Sequence, residues 1–421
     1  MMAERPVDTR AREKSALVPA AAPSHGNESV LGLALLLFGA GAGLATTLVF
    51  LAQGAWQALR AGWVRLTSPA ATRTSARDLS LWDRVHPLLF LGASALSAWH
   101  SPAPELAWPA AAMVATFILV FWSVQQQPLA PHGSPSEAAH YWVMGTLILA
   151  SMGLGFFMED STIVRTPFLG KNGIGTLLAM ALPVAQLVAI GGPHQVLGWV
   201  TAMVGAVALF LSFSQGGWIG AVTAQAVMLA AGTPRMRRHV VTLVLVVALV
   251  VALAASILWM ARPPAFGVLL SRIDPTSSSK TERIYIWEGS WRMFLEHPWF
   301  GVGLGAFSRV YPDYRVSAAH EPNVSFAHNL LLNLLAETGV PGLAAFIAIL
   351  ATWLRQARKR LLQASPEEHE WVAVLLAALT ALLTHQLFDG TMWSLHIGVG
   401  FWFLGAMLYR KRARPSNETC P

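Results

Sequence analysis

"RMRRHVVTLVLVVALVVALAASILWMA", residues 235–261, sets Arg235, Arg237 and Arg238 against an apolar run that fills 239–261. A bilayer core takes about 20 apolar residues in one helix. Lipid satisfies no backbone N–H or C=O, so such a run must be helical. Working outward, the same pattern recurs at 31–53, 85–100, 106–125, 141–158, 173–191, 195–213, 216–232, 341–357, 369–387 and 394–410. Composition agrees: of 421 residues, 54% are hydrophobic and 12% charged. Soluble domains carry roughly 25% charged residues. The expectation is an all-α, polytopic membrane protein with about 11–12 transmembrane helices. The range reflects 31–53, where Gly39, Gly41 and Gly43 allow one tilted span or a tight hairpin.

The net charge of +7 does not point to nucleic acid, because the basic residues sit at the ends of apolar runs. There they act as topology signals. Arg60, Arg65, Arg73, Arg77 and Arg84 follow the first span, and Arg355, Arg358, Lys359 and Arg360 follow the ninth. Arg410, Lys411, Arg412 and Arg414 follow the last. Alternating spans put these clusters and Arg235–Arg238 on one face, read as cytoplasmic. The expected organisation is a polar tail (1–29), an N-terminal membrane bundle (30–261), a large outer loop (262–340), C-terminal membrane helices (341–410) and a cytoplasmic tail (411–421). Residues 1–29 read as a disordered tail and not as a cleaved signal. The single cysteine, Cys420, excludes an intrachain disulfide and a Cys metal site. No cofactor and no metal are expected.

The outer loop is too long and too rich in Arg and aromatic residues for an inert connector. Arg forks suit phosphate oxygens. Ser279-Lys-Thr-Glu282 fits a capping box. The helix it opens would carry Ile284, Trp287, Trp291, Phe294 and Leu295 on one face, with Arg283 at the edge of that face. His297-Pro298 should stop it. "GVGLGAF", 301–307, should be an irregular turn. In "SFAHNLLLNLLAETG", 325–339, His328 heads an apolar run beside Asn329. A neutral imidazole there can take a proton from an attacking hydroxyl, though a lone histidine is more often structural. Gly339-Val-Pro341-Gly342 should break or kink the helix, leaving 326–338 as a partly inserted outer helix. Glu337 reads as a pin paired with a loop arginine. Arg165, Lys171, Asn172, His385 and Asp389 fall on the same face. Such cationic groups around His328 would suit a ligand with at least two negative charges, such as a pyrophosphate.

"RIYIWEGSWRMFLEHPWFGVGLGAFSRVYPDY" followed by "AHNLLLNLLAETGVPGLAAF" resembles the signature region of the O-antigen ligase / O-antigen polymerase superfamily. The shared features are Arg283 and Trp287, then Pro298, Gly301, Gly303, Gly305 and Phe307, then Ala327-His328-Asn329 and Glu337-Thr-Gly339. The resemblance implies a GT-C-like glycosyltransferase of the bacterial inner membrane, active in lipopolysaccharide or other surface polysaccharide assembly. Its donor would be a glycan on undecaprenyl pyrophosphate. Its acceptor would be a sugar hydroxyl on the lipid A core or on a second lipid-linked chain. The chemistry implied is inverting and metal-independent. His328 becomes the base, with Arg283, Arg165 and Lys171 as pyrophosphate ligands. Asn329, Glu337, Trp287 and Asp389 become supporting residues. The family usually has Ser-Arg-Gly at the outer end of a middle helix. Here Ser214-Gln215-Gly216 stands there, so Gln215 offers a hydrogen bond without charge. A flippase of lipid-linked sugars would place ionisable residues at mid-membrane, where these spans have almost none. A noncatalytic partner in polysaccharide export remains a further reading.

Overall fold

The computed structural model describes residues 81–126, 135–160, 163–261 and 278–410, apart from 168 and 192, with scattered helical residues between 33 and 56. Both tails, residues 262–277 and much of the first expected span lie outside the described residues. The regular structure among the described residues is helical, with one isolated bridge between Thr166 and Leu169. In chain order the helices are α1 Leu81–His100, α2 Pro104–Gln126, α3 Pro135–Asp160, α4 Lys171–Ile190, α5 Gln195–Leu211, α6 Gln215–Ala231 and α7 Pro234–Ala261. After these come α8 Ser278–Glu296, α9 Phe307–Tyr314, α10 Leu330–Gln363, α11 Pro366–Gln386, a 3-10 turn Thr391–Trp393 and α12 Leu395–Met407. Each expected span from 85 onward falls on one of these helices. Four are long and apolar enough to cross a membrane: Pro104–Gln125, Ala139–Glu159, Lys171–Ile190 and Leu330–Gln363.

α4 is the axis of the bundle. Almost its whole length is buried, and it packs against α3, α5, α6 and α11. Small residues let the helices close. A Cβ on Gly198 would lie 2.3 Å from the Ala189 backbone N of α4, and one on Gly220 would lie 2.6 Å from the Ala381 carbonyl of α11. α1 packs along α10, and α2 along α12.

The two ends of this bundle carry different polar groups. At one end, helix C-termini are capped by basic side chains. Arg235 donates to Ile190 O, and His369 Nε2 meets Ala231 O at 2.7 Å. Arg360 donates to Met407 O and Leu408 O, both at 3.0 Å, and pairs with Glu368 at 2.8 Å. Arg235 and Arg360, from two of the basic clusters expected on one face, therefore share an end, while Arg60, Arg65, Arg73, Arg77, Lys411, Arg412 and Arg414 lie outside the described residues. At the other end stand the starts of α4, α6 and α10 and the close of α11.

The loop helices α8 and α9 build their own small core on that second end, from Ile286, Met293, Val302, Phe307, Val310, Tyr311, Val324, Ala327 and Ala336. Two expectations are corrected here. Ser279 is inside α8 and not its cap, and the Glu282 carboxylate accepts from the backbone N–H of His320 and Glu321, each at 2.9 Å. Glu337 pairs with no arginine among the described residues. Its Oε1 accepts from the N–H of Gly305 at 2.9 Å and of Phe307 at 3.2 Å, while Oε2 accepts from Asn333 Nδ2 at 2.7 Å. The reason is the same in both cases. A backbone that leaves regular structure strands N–H donors, and a buried carboxylate serves two of them at once.

The glycine turn needs that support. Gly301, Gly303 and Gly305 all have positive φ, at 63°, 107° and 82°. Gly339 (φ 64°, ψ −167°) interrupts α10 as expected, against the backbone of Pro298 and Trp299. The short segment 330–338 thus approaches the bundle at its own angle before the long helix begins.

Candidate functional site

Two helices begin at the site in the same way. Among the described residues, only Phe213 (φ 54°) and His328 (φ 51°) are non-glycine residues with positive φ. Each stands directly before an N-cap. Ser214 caps α6 by accepting from Gly217 N, and Asn329 caps α10 by accepting from Leu331 N and Leu332 N. Left-handed non-glycine residues cost energy and gather where function needs a fixed geometry.

His328 has a quarter of its side chain exposed (24%), while Asp389 beside it is buried (2%). Their separation, 3.5 Å from Nδ1 to Oδ1, is an ion-pair distance, and the buried Nδ1 makes no hydrogen bond. Phe326 meets the His328 ring edge-on with centroids 4.7 Å apart. The Asn329 amide donates to Leu387 O at 3.2 Å, tying the start of α10 to the end of α11. Burial opposes ionisation of Asp389. The neighbouring His328 and His385 and the Gly390 N–H outweigh it and hold the carboxyl below its usual range.

Behind Asp389 the polar chain runs inward. His385 Nδ1 is 4.0 Å from Asp389 Oδ2, and His385 Nε2 is 3.1 Å from Ser214 Oγ. Ser214 Oγ in turn lies 3.4 Å from Asn172 Oδ1 on α4. Ser214 and His385 are each 1% exposed, so this pair lies sealed behind the His328–Asp389 contact. His385 was visible in the sequence one turn before Asp389. Ser214 was hidden as an ordinary helix cap.

The other expected residues distribute as follows. Arg283, half-buried on α8, lies within electrostatic reach of His385, so the loop helix brings its charge to this end. Trp287, one turn on, is half-buried with its Nε1 sealed and without a hydrogen-bond partner. Gln215 is the half-exposed first residue of α6, next to the Ser214 cap. Lys171 starts α4, exposed, one residue before Asn172. Arg165 is exposed on the short 163–170 connection, whose Val164 N bonds to Leu211 O. Glu337 belongs to the scaffold of the loop. Asn333 was missed: it accepts from Ala327 N at 2.9 Å and donates to Glu337, so it links the His328 segment to the glycine turn. The spacing of four from Asn329 to Asn333 to Glu337 was the available signal, since it places all three on one helix face.

Residues 200–347 match the family model described as O-antigen ligase. That match supports the O-antigen ligase superfamily for this chain. The matched segment is about a third of the chain and runs from α5 to the kinked part of α10. It holds Gln215, Arg283, Trp287, His328, Asn329 and Glu337. Asp389 and His385 lie beyond it and join the site only through the fold. A search of curated proteins finds no match. The family supports a role of the ligase or polymerase type in polysaccharide assembly, on lipid-linked glycans, in a multi-pass membrane protein.

Proposed function

We propose that the protein transfers a glycan from undecaprenyl pyrophosphate to a sugar hydroxyl, at the outer face of the bacterial inner membrane. The observation that carries this reading is the part-exposed His328 beside the buried Asp389 carboxyl, with Nδ1 3.5 Å from Oδ1. A carboxylate facing Nδ1 favours the tautomer protonated there and leaves Nε2 as the base. Nε2 takes the proton of the acceptor hydroxyl as its oxygen attacks the anomeric carbon. The bond from that carbon to the pyrophosphate oxygen breaks, and the lipid pyrophosphate leaves. Attack opposite the leaving group inverts the anomeric centre and needs no metal in this scheme. Arg283, with Lys171 and Arg165 nearer the rim, meets the growing negative charge. Gln215 offers a neutral hydrogen bond at the position where the family resemblance implies an arginine. The acceptor favoured is the lipid A core, which makes the protein ligase-like; a polymerase would use the same groups on a second lipid-linked chain.

The test is His328→Ala, with transfer and membrane abundance measured together. Transfer should fall by about 10²–10⁴-fold while the amount of protein holds. Near-normal transfer by the variant would overturn the role of His328. Deleting the gene in its host then separates the acceptors. Long chains stranded on the carrier beside bare core lipid mean ligase. Single repeats without long chains mean polymerase. Unchanged pools defeat the catalytic reading.

A further inference from the structure

α8 does not obey the inside-out rule of a soluble helix. Its side chains sort into three strips around the axis. One strip, Glu282, Ile286, Gly289, Ser290 and Met293, is buried against α9 and α10. A second, Thr281, Glu288, Arg292 and Glu296, is exposed and polar, with Arg292 and Glu288 paired at 2.5 Å. The third is the outer part of the apolar face expected from the sequence; Ile284, Trp291 and Leu295 point away from the protein, while Trp287 and Phe294 at its edge are half-buried. Ile284 is 59% exposed, Trp291 46% and Leu295 59%. The periodicity was read correctly, but the core of the loop chose a different strip.

A helix with one strip on protein, one in water and one bare and apolar fits a water–lipid boundary. We propose that this third strip lies in the leaflet on the His328 side, with lipid acyl chains covering it. Continuity with the membrane-facing surface supports that occupant. Trp299 (66% exposed) follows α8 directly, and Phe300 stacks on His100 at the end of α1 with centroids 4.1 Å apart. Ser101 Oγ donates to Val302 O at 2.7 Å, so the loop and the α1–α2 corner share one level. At that corner Trp99 is 74% exposed and Trp108 45%, beside exposed Leu96 and Leu106 on the two helices. Tryptophan concentrates where membrane meets water. Exposed apolar residues of two membrane helices and of the loop segment therefore meet at this corner, where exposed His100 and Glu105 also stand. Arg283 borders this strip at the start of α8, where its stem can lie on lipid and its head can reach the site. The proposal does not rest on glycan transfer.

The experiment uses the full-length chain with Cys420→Ser, which removes the one native thiol. Single cysteines at Ile284, Leu295, Thr281 and Glu288 carry an environment-sensitive fluorophore in phosphatidylcholine/phosphatidylglycerol vesicles. Quenchers are lipids spin-labelled on the acyl chain and, separately, aqueous iodide. Labels at Ile284→Cys and Leu295→Cys should lose at least half their emission to the lipid quencher and resist iodide. Labels at Thr281→Cys and Glu288→Cys should do the reverse. Iodide quenching at Ile284→Cys and Leu295→Cys without lipid quenching would put the strip in water and overturn the proposal. Protection from both quenchers would mean a protein cover and overturn it equally. All four side chains are exposed, and each strip is tested twice, so one poorly folded variant does not remove the test.

Discussion

The two ends of the bundle spend their charged groups differently. At the end with Arg235, Arg360 and His369, cationic side chains finish helix C-termini, where carbonyls lack partners. Arg360 is 4% exposed with its hydrogen bonds directed at Met407 O, Leu408 O and Glu368. That geometry serves stability. At the other end, His328 keeps a quarter of its surface in the open, on a left-handed residue, beside a buried carboxylate whose second oxygen accepts no hydrogen bond. A buried group left partly unsatisfied is costly. This is the end to which the proposed transfer assigns the chemistry.

The strongest way to break that contrast is Asp389→Asn. The neutral amide cannot stabilise a protonated His328 as a carboxylate does, so transfer should fall about 10²-fold or more, with little change in membrane abundance. The pH profile should change too, because the base is no longer oriented by an ionised partner. Equal transfer by the variant and the parent would reduce Asp389 to a structural group.

Arg360→Ala is the matching probe at the opposite end. Removing one partner of a buried ion pair costs on the order of 3 kcal/mol or more, and here two carbonyls also lose their donor. Thermal unfolding in detergent should drop clearly, while transfer per folded molecule stays close to the parent. A selective loss of transfer at unchanged thermal stability would contradict the division between the ends.

Gly339→Ala asks how the long helix positions the site. The new Cβ would fall 2.6 Å from Pro298 O, at a φ of 64° that alanine disfavours. The expected cost is about 1–3 kcal/mol, with transfer reduced as segment 330–338 shifts His328. Denaturant unfolding together with initial rates would show both. A gain in stability would mean that the kink is not required.

Much of this was legible in the sequence because it was periodic. Apolar runs of membrane length located the helices, and His297-Pro298 and Gly339 marked where helices end or bend. His328, Asn329 and Asp389 were visible as polar residues at the ends of apolar runs. What escaped was long-range pairing. Nothing local says that Glu282 will serve His320 and Glu321, or that Glu337 will serve Gly305 and Phe307, because the stranded donors exist only after the loop has folded. The capping-box pattern at Ser279 and an arginine partner for Glu337 were both plausible locally and lost to that need. The α8 face shows a different limit. Amphipathic spacing identifies an apolar strip, but in a membrane protein it does not say whether protein or lipid receives it.

The smallest effect expected sharpens the contrast through pH. Glu282 is held below the usual carboxylate range, chiefly by the Glu321 N–H, against the opposing effect of burial and with help from the His320 N–H. A carboxyl whose pKa falls on folding binds fewer protons folded than unfolded, so folding gains as pH rises. Its contribution is complete above the unfolded value near 4.3 and is lost as pH falls through the lower folded value. Glu282→Gln should therefore loosen the 315–321 segment at neutral pH, seen as faster limited proteolysis of the loop. At acidic pH parent and variant should converge, since the parent carboxyl is then protonated. The Arg360–Glu368 end should not follow Glu282→Gln at either pH, because no bond of Glu282 reaches it. A proteolysis gap that stays constant from pH 7 to pH 3 would show that the shape of the side chain, and not its charge, holds the turn.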